Sequence, residues 1–156
     1  MTSQEEESSN VLETHSPLSW SEIRLQLLSA TVGSEYQIQQ VSPASLAYLG
    51  DAVYELYIRT CYLLPPRRLG DYHQQVVAQV RAESQASTLR SLEPYLSESE
   101  QEILRRGRNA ATGRPRRLDP KVYQAATSLE TLLGYLYLTD PQRLMQLLTH
   151  LNFDSR

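Results

Sequence analysis

The sequence predicts an all-α protein, and three observations support this class. Apolar residues recur at steps of three and four over long stretches, first in the run PASLAYLGDAVYELYIRTCYLLPP. Helix-start signals precede several of these stretches, and prolines or glycines follow them. No stretch alternates apolar and polar residues as a half-buried strand would. The pattern therefore favours a bundle of helices.

The first long helix is bounded by clear signals. Ser42 followed by Pro43 predicts its start, and Pro65-Pro66 predicts its end. Gly50 lies in its interior, where glycine costs about 1 kcal/mol relative to alanine. We therefore expect another backbone to approach this helix closely at Gly50.

Each later helix has a starting signal of its own. Asp71 is expected to cap a helix over about 72–91. Ser97, with Glu100 three residues later, forms a capping box for the next helix. Asp119-Pro120 starts the last long helix, and the segment PQRLMQLLTHL forms a short C-terminal one.

Two regions differ in composition. Residues 1–17 contain four glutamates and no lysine or arginine, and we expect them to be a disordered acidic tail. Residues 18–156 then form one domain, with a short helix over 18–30. A chain of 156 residues can bury a core without disulfides or zinc. The single cysteine, Cys61, excludes an internal disulfide, and its apolar neighbours predict that it is buried.

The sequence favours a cytoplasmic protein without membrane contact. No apolar run approaches the roughly 20 residues that span a bilayer. The N-terminal segment MTSQEEESSN has neither the basic nor the apolar region of a secretory signal.

Positive charge is concentrated in one part of the chain, although the net charge is −3. Residues 105–121 contain seven basic residues against one acid, and 109–120 has the prolines and glycine of a loop. Such asymmetry favours a polyanion partner. A merely solvated basic loop is the alternative. The candidate contact residues are Arg105, Arg106, Arg108, Asn109, Arg114, Arg116, Arg117 and Lys121.

Two acids stand alone in apolar helices. Asp51 lies in the middle of the first long helix, and Glu130 is the only charged residue in AATSLETLLGYLYL. An unpaired buried carboxylate is costly, so each needs a partner or a metal. If the two helices pack together, the acids could hold Mg²⁺, which activates water for attack on a phosphodiester. The alternative is that each pairs with an arginine, such as Arg59 or Arg81.

The residues around these acids resemble a known family. SLAYLGDAVYELYI is similar to the signature helix of ribonuclease III nuclease domains, with Tyr48, Leu49, Gly50 and Asp51 at its centre. SLETLLGYLYL resembles the family's later helix, which carries an essential glutamate, here Glu130. GDYHQQVVAQVRAESQA resembles its middle helix. The similarity covers about residues 40–150 in order and spacing, and implies a ribonuclease III nuclease-domain-like helical bundle.

Departures from the family pattern indicate a branch. Ala44 and Ala47 precede Asp51, and Thr127 precedes Glu130, at places where most members carry acids. These changes match mini-ribonuclease III, which has the nuclease domain without a double-stranded-RNA-binding domain. The resemblance therefore implies a site with few protein ligands, in which water and RNA complete the coordination.

The resemblance implies a Mg²⁺-dependent endoribonuclease that cleaves double-stranded RNA. Asp51 and Glu130 would be both the catalytic and the metal-binding residues. The enzyme would be a homodimer with one site per subunit, and Tyr48 would lie at the dimer interface. Its substrate would be the precursor of large-subunit (23S) ribosomal RNA. A ribosomal protein or an assembly intermediate is a further candidate partner.

Two other classes of function stay open at this point. In the first, the chain binds double-stranded RNA without cutting it, and the alanines at 44 and 47 reflect lost chemistry. In the second, the helices form a protein-interaction module whose basic loop docks an acidic protein.

Overall fold

The computed structural model describes residues 19, 22–23, 35–113 and 117–151. In these residues the chain is helical and contains no strand, which confirms the predicted class. The predicted tail over 1–17 and most of the predicted helix over 18–30 lie outside them. The helices are α1 (Glu35–Gln39), α2 (Pro43–Cys61), α3 (Leu69–Val80), α4 (Ala82–Leu92), a short 3₁₀ helix (Glu93–Tyr95), α5 (Glu98–Ala110), α6 (Pro120–Thr139) and α7 (Pro141–Thr149).

Three predicted helix starts are confirmed by their caps. The side chains of Ser42, Ser97 and Asp119 each accept a hydrogen bond from a backbone N–H in the turn that follows. Pro43 and Pro120 occupy the first helical positions, where a missing N–H has no cost.

The single helix expected over 72–91 is wrong, because the chain breaks at Arg81 into α3 and α4. Arg81 has an extended backbone (φ −64°, ψ 154°). Two side chains from α4 accommodate the break: Ser84 donates to the carbonyl of Ala78, and Gln85 donates to that of Val80. Polar side chains thereby replace the backbone hydrogen bonds that a continuous helix would have made.

Asp71 is also not the cap that was expected. Helix α3 begins earlier, at Leu69, with Arg68 as its N-cap. Asp71 lies in the first turn, where a carboxylate interacts favourably with the positive end of the helix dipole.

Helix α6 is the centre of the bundle. Four of its five leucines are fully or almost fully buried, including Leu129, Leu132 and Leu133. Helices α2, α4 and α5 pack around it, and α2 contributes Tyr54 and Ile58 to the shared core. A helix that is apolar on nearly all sides is one that other helices surround.

One side of α2 and the segment after it are apolar but uncovered. Leu56, Leu63 and Leu64 are exposed, whereas Ile58 is buried. Cys61 is exposed too, so its predicted burial is wrong. The apolar run around it faces the core on only one side. Within the part of the chain that the structure describes, no helix combines the length and apolar character of a membrane span.

Candidate active site

The two lone acids of the sequence meet in the structure. Asp51 on α2 and Glu130 on α6 lie close enough for each to shift the pKa of the other. The helix contact explains this proximity. A Cβ atom at Gly50 would overlap the backbone carbonyl of Glu130, and one at Gly134 would overlap that of Leu46. The close approach predicted at Gly50 is thereby confirmed.

The environment of the pair opposes the ionisation of both acids. The pKa of Glu130 is raised to about 7, first by burial and then by the negative charge of Asp51. The pKa of Asp51 is also raised, by desolvation and then by the charge of Glu55. Near neutral pH, therefore, the protonated and ionised forms of Glu130 coexist. A divalent cation would relieve the repulsion between the two carboxylates.

The arginines considered as alternative partners are engaged elsewhere. Arg59 forms an ion pair with Glu55 on its own helix, and Arg81 donates to the hydroxyl of Ser84. None of the ion pairs among the described residues includes Asp51 or Glu130. The paired-arginine interpretation of the two acids is therefore not supported.

The site has few acidic side chains. Among the residues that the structure places, no group of three His, Cys, Asp or Glu side chains is suited to a metal ion. Ala47, where the family pattern has an acid, is buried, and Thr127 is half-buried. Mg²⁺ is commonly bound by one or two carboxylates and keeps several waters, so the pair is a chemically reasonable donor set for it.

Gln85 is a site residue that the sequence reasoning missed. This side chain on α4 is only 2% exposed, and its amide lies next to the carboxyl group of Glu130, whose pKa it lowers. The available signal was a polar residue on the apolar side of its helix, next to Ala86. Because the predicted helix was continuous through Arg81, nothing in the sequence placed Gln85 beside Glu130.

The predicted basic residues lie on two sides of one loop. The basic residues of α5 and the described ones that follow it are exposed. Arg114 and Arg116 lie outside the described residues. Arg105 forms an ion pair with Glu102, so its charge is partly compensated. The exposed members are Arg105, Arg106, Arg108, Asn109, Arg117 and Lys121.

A glycine also brings the basic helix close to α6. A Cβ atom at Gly107 would lie 2.5 Å from the hydroxyl oxygen of Thr131 and 3.1 Å from the Cα atom of Ser128. Ser128 and Thr131 flank Glu130 within one turn of α6. The arginines around Gly107 are thus carried by a helix whose backbone lies against the helix of the acid.

Tyr48, the predicted interface residue, projects from α2 and is 84% exposed. Leu56, on the same helix, is also exposed. Tyr48 lies on the helix that carries Asp51, three residues before that acid.

This helical bundle is similar to nuclease domains of the ribonuclease III type. The family model described as "Ribonuclease III domain" matches residues 44–141. The chain is 64% identical over 111 residues to "Mini-ribonuclease 3" of Synechocystis sp.. The matched region covers 71% of this chain and 78% of that protein. The chain is 57% identical over 108 residues to the protein of the same name from Thermosynechococcus vestitus, covering 69% and 72%.

A solved structure agrees with these sequence matches. Protein FN1578 from Fusobacterium nucleatum superimposes with a TM-score of 0.65 at 31% identity, covering 70% of this chain and 88% of that one. The chain belongs to the ribonuclease III family, in its mini-ribonuclease III branch. It is accordingly an endoribonuclease.

Proposed function

We propose that this endoribonuclease cleaves double-stranded RNA in a Mg²⁺-dependent reaction at Asp51 and Glu130. The observation that carries this proposal is the acid pair itself. Two helices bring together two carboxyl groups that resist joint ionisation, and the pKa of Glu130 is about 7. No arginine neutralises them among the described residues. A divalent cation is the partner that such a pair lacks.

The two acids have the same task in this proposal, which is to hold the cation by their carboxylate oxygens. When bound, the cation supplies an acidified water for attack on the phosphodiester and stabilises charge on the phosphate. Glu130 loses its proton when it becomes a ligand. Because Glu130 is partly protonated near neutral pH, cation binding there depends on pH. The negative charge of Asp51 contributes to the raised pKa of Glu130.

Duplex RNA would bind across the basic residues of α5 and the loop after it. Recognition of duplex RNA depends on phosphate and 2′-hydroxyl contacts across the minor groove, which guanidinium groups suit well. The proposed contacts are Arg105, Arg106, Arg108, Asn109, Arg114, Arg116, Arg117 and Lys121. The packing of Gly107 on α6 supports this assignment, because it keeps the arginines close to the helix of Glu130.

A homodimer is part of the proposal. Tyr48, Leu56 and Leu63 are exposed apolar side chains along α2 and its end. Isologous pairing of this side of α2 with its copy would bury them and bring two acid pairs into one particle. Such a dimer would cut both strands of a duplex.

The proposed biological substrate is the precursor of large-subunit (23S) ribosomal RNA, processed in the cytoplasm. This assignment rests on the branch that the chain resembles. A ribosomal protein or an assembly intermediate that presents the duplex would be a compatible partner. In this proposal the acid pair acts on the phosphodiester and does not read the bases, so the shape of the precursor would select the cleavage site.

Cleavage of purified RNA tests the proposal. The chain is incubated with a structured ribosomal RNA precursor, a plain duplex and a single strand, each in Mg²⁺ or in excess EDTA. We expect Mg²⁺-dependent cuts in the two duplex-containing RNAs only. Binding of duplex without Mg²⁺-dependent cleavage, or cuts that persist in excess EDTA, would contradict the proposal.

A further inference from the structure

Gln85 lies at a junction of three helices. The break at Arg81 lets α4 turn its first residues toward the end of α3, and Gln85 is 98% buried there. Its amide nitrogen donates to the carbonyl oxygen of Val80 at 2.9 Å. The same amide group lies next to Glu130 on α6 and lowers the pKa of that carboxyl group. An amide nitrogen has two hydrogens, so both contacts can be made at once.

The side-chain oxygen of Gln85 destabilises the folded state. The Oε1 atom of Gln85 is buried and has no hydrogen-bond partner among the described residues. A buried acceptor without a partner destabilises a folded protein, and most such groups in native proteins have a specific reason. A leucine would avoid that cost, although it would also lose the hydrogen bond to the carbonyl of Val80. The contact with Val80 uses one of the two amide hydrogens, which leaves the other for Glu130.

We propose that Gln85 is a positioning residue, which ties the carboxylate of Glu130 to the α3–α4 junction and holds it in the orientation that binds the metal. This inference rests on the proposed function of the acid pair. Hydrogen bonds that orient ligating carboxylates are a recurrent part of metal sites. The effect of Gln85 on the pKa of Glu130 agrees with this role. Burial raises the pKa of Glu130, whereas the contact with Gln85 lowers it, as expected of an N–H that favours the ionised carboxylate.

The test measures metal affinity directly. Mn²⁺ binding to the purified full chain is titrated by electron paramagnetic resonance, for wild type, Gln85→Leu and Gln85→Met. The methionine variant covers the case in which leucine disturbs the fold, because an unbranched side chain adapts to irregular space. Gln75→Leu is the matched control. Gln75 also has a buried, unpartnered Oε1 atom, but it contributes to the pKa of neither acid.

The expected result is a loss of Mn²⁺ affinity of about 10- to 100-fold in both Gln85 variants and less than about twofold in Gln75→Leu. Circular dichroism should find all variants folded. Equal affinity of a folded Gln85 variant and wild type would overturn the positioning role while leaving the metal site intact. If wild-type protein itself binds no Mn²⁺ and cleaves no duplex, the proposed function fails, and this inference fails with it.

Discussion

Gly50 lies directly against the backbone carbonyl of Glu130, so that a Cβ atom at position 50 would overlap that oxygen. This contact joins two residues far apart in the sequence and sets the separation of α2 and α6. Asp51 is the next residue of α2, so the same contact brings its carboxyl group to that of Glu130. The glycine of the signature helix is therefore part of the geometry of the site.

Substitution of Gly50 should separate the two helices. We expect Gly50→Ala to destabilise the folded state by about 3 kcal/mol or more, because rigid backbone atoms lie where the methyl group would go. Urea denaturation followed by circular dichroism measures this. Gly70→Ala in α3 is the matched control, since nothing lies within 4 Å of its added Cβ. It should leave stability unchanged or raise it by up to about 1 kcal/mol. Similar losses in both variants would contradict the close-contact account.

The stability of the metal-free protein should fall as pH rises through the range in which Glu130 ionises. The pKa of Glu130 is about 7 in the folded chain against an ordinary value of 4.5. Between these values the folded state binds more protons than the unfolded state, so the free energy of unfolding decreases with pH. We expect Glu130→Gln to be more stable than wild type at pH 8, by up to about 3 kcal/mol, and similar at pH 4.5.

Denaturation in EDTA at several pH values checks this prediction. The informative quantity is the difference in the free energy of unfolding between Glu130→Gln and wild type. A difference that does not change between pH 4.5 and pH 8 would mean that Glu130 is not the group that titrates. Added Mg²⁺ should raise the stability of wild type more than that of the variant, because only wild type keeps both carboxylates.

Removal of one arginine should weaken duplex binding without sequence preference. Arg108 is exposed, belongs to the basic cluster of α5 and forms no ion pair among the described residues. We expect Arg108→Ala to lower duplex affinity and to reduce the slope of log affinity against log salt by about 1. Fluorescence anisotropy in EDTA measures binding without cleavage. Arg90→Ala, an exposed arginine on α4, should behave as wild type; equal losses in both would argue against a localised surface.

The exposed tyrosine of α2 should control association. We expect wild type to sediment as a dimer and Tyr48→Asp as a monomer, because a charge placed in an apolar interface lacks a partner there. Analytical ultracentrifugation distinguishes the two. Tyr95→Asp is the control, because Tyr95 is also exposed, at 52%, but lies in the 3₁₀ helix before α5. A dimer that survives Tyr48→Asp would exclude the proposed face.

Local signals predicted much of the fold. Caps such as Ser42, Ser97 and Asp119 act within one turn of the chain, so the sequence around them is sufficient to place a helix start. The meeting of Asp51 and Glu130 was predictable for a different reason. Each is the lone acid of an apolar helix, and two apolar helices bury their sides against each other.

The missed features depend on contacts between distant segments. The break at Arg81 is accommodated by side chains of α4 that reach back to α3, and no residue at the break itself is a proline or glycine. Without the break, Gln85 could not be placed beside Glu130. Similarly, the exposure of Cys61 reflects which side of α2 other helices cover, and an apolar neighbourhood in sequence does not report it.

The rate of duplex cleavage by Asp51→Asn tests the central claim most directly. The substitution removes one negative charge from the acid pair and keeps the size of the side chain. Glu83→Gln is its control, since Glu83 is an exposed acid on α4 that contributes to the pKa of neither Asp51 nor Glu130. We predict a rate loss of at least about 100-fold in Mg²⁺ for Asp51→Asn, with duplex binding retained, and near wild-type cleavage for Glu83→Gln. Cleavage by Asp51→Asn at the wild-type rate would contradict the assignment of the site.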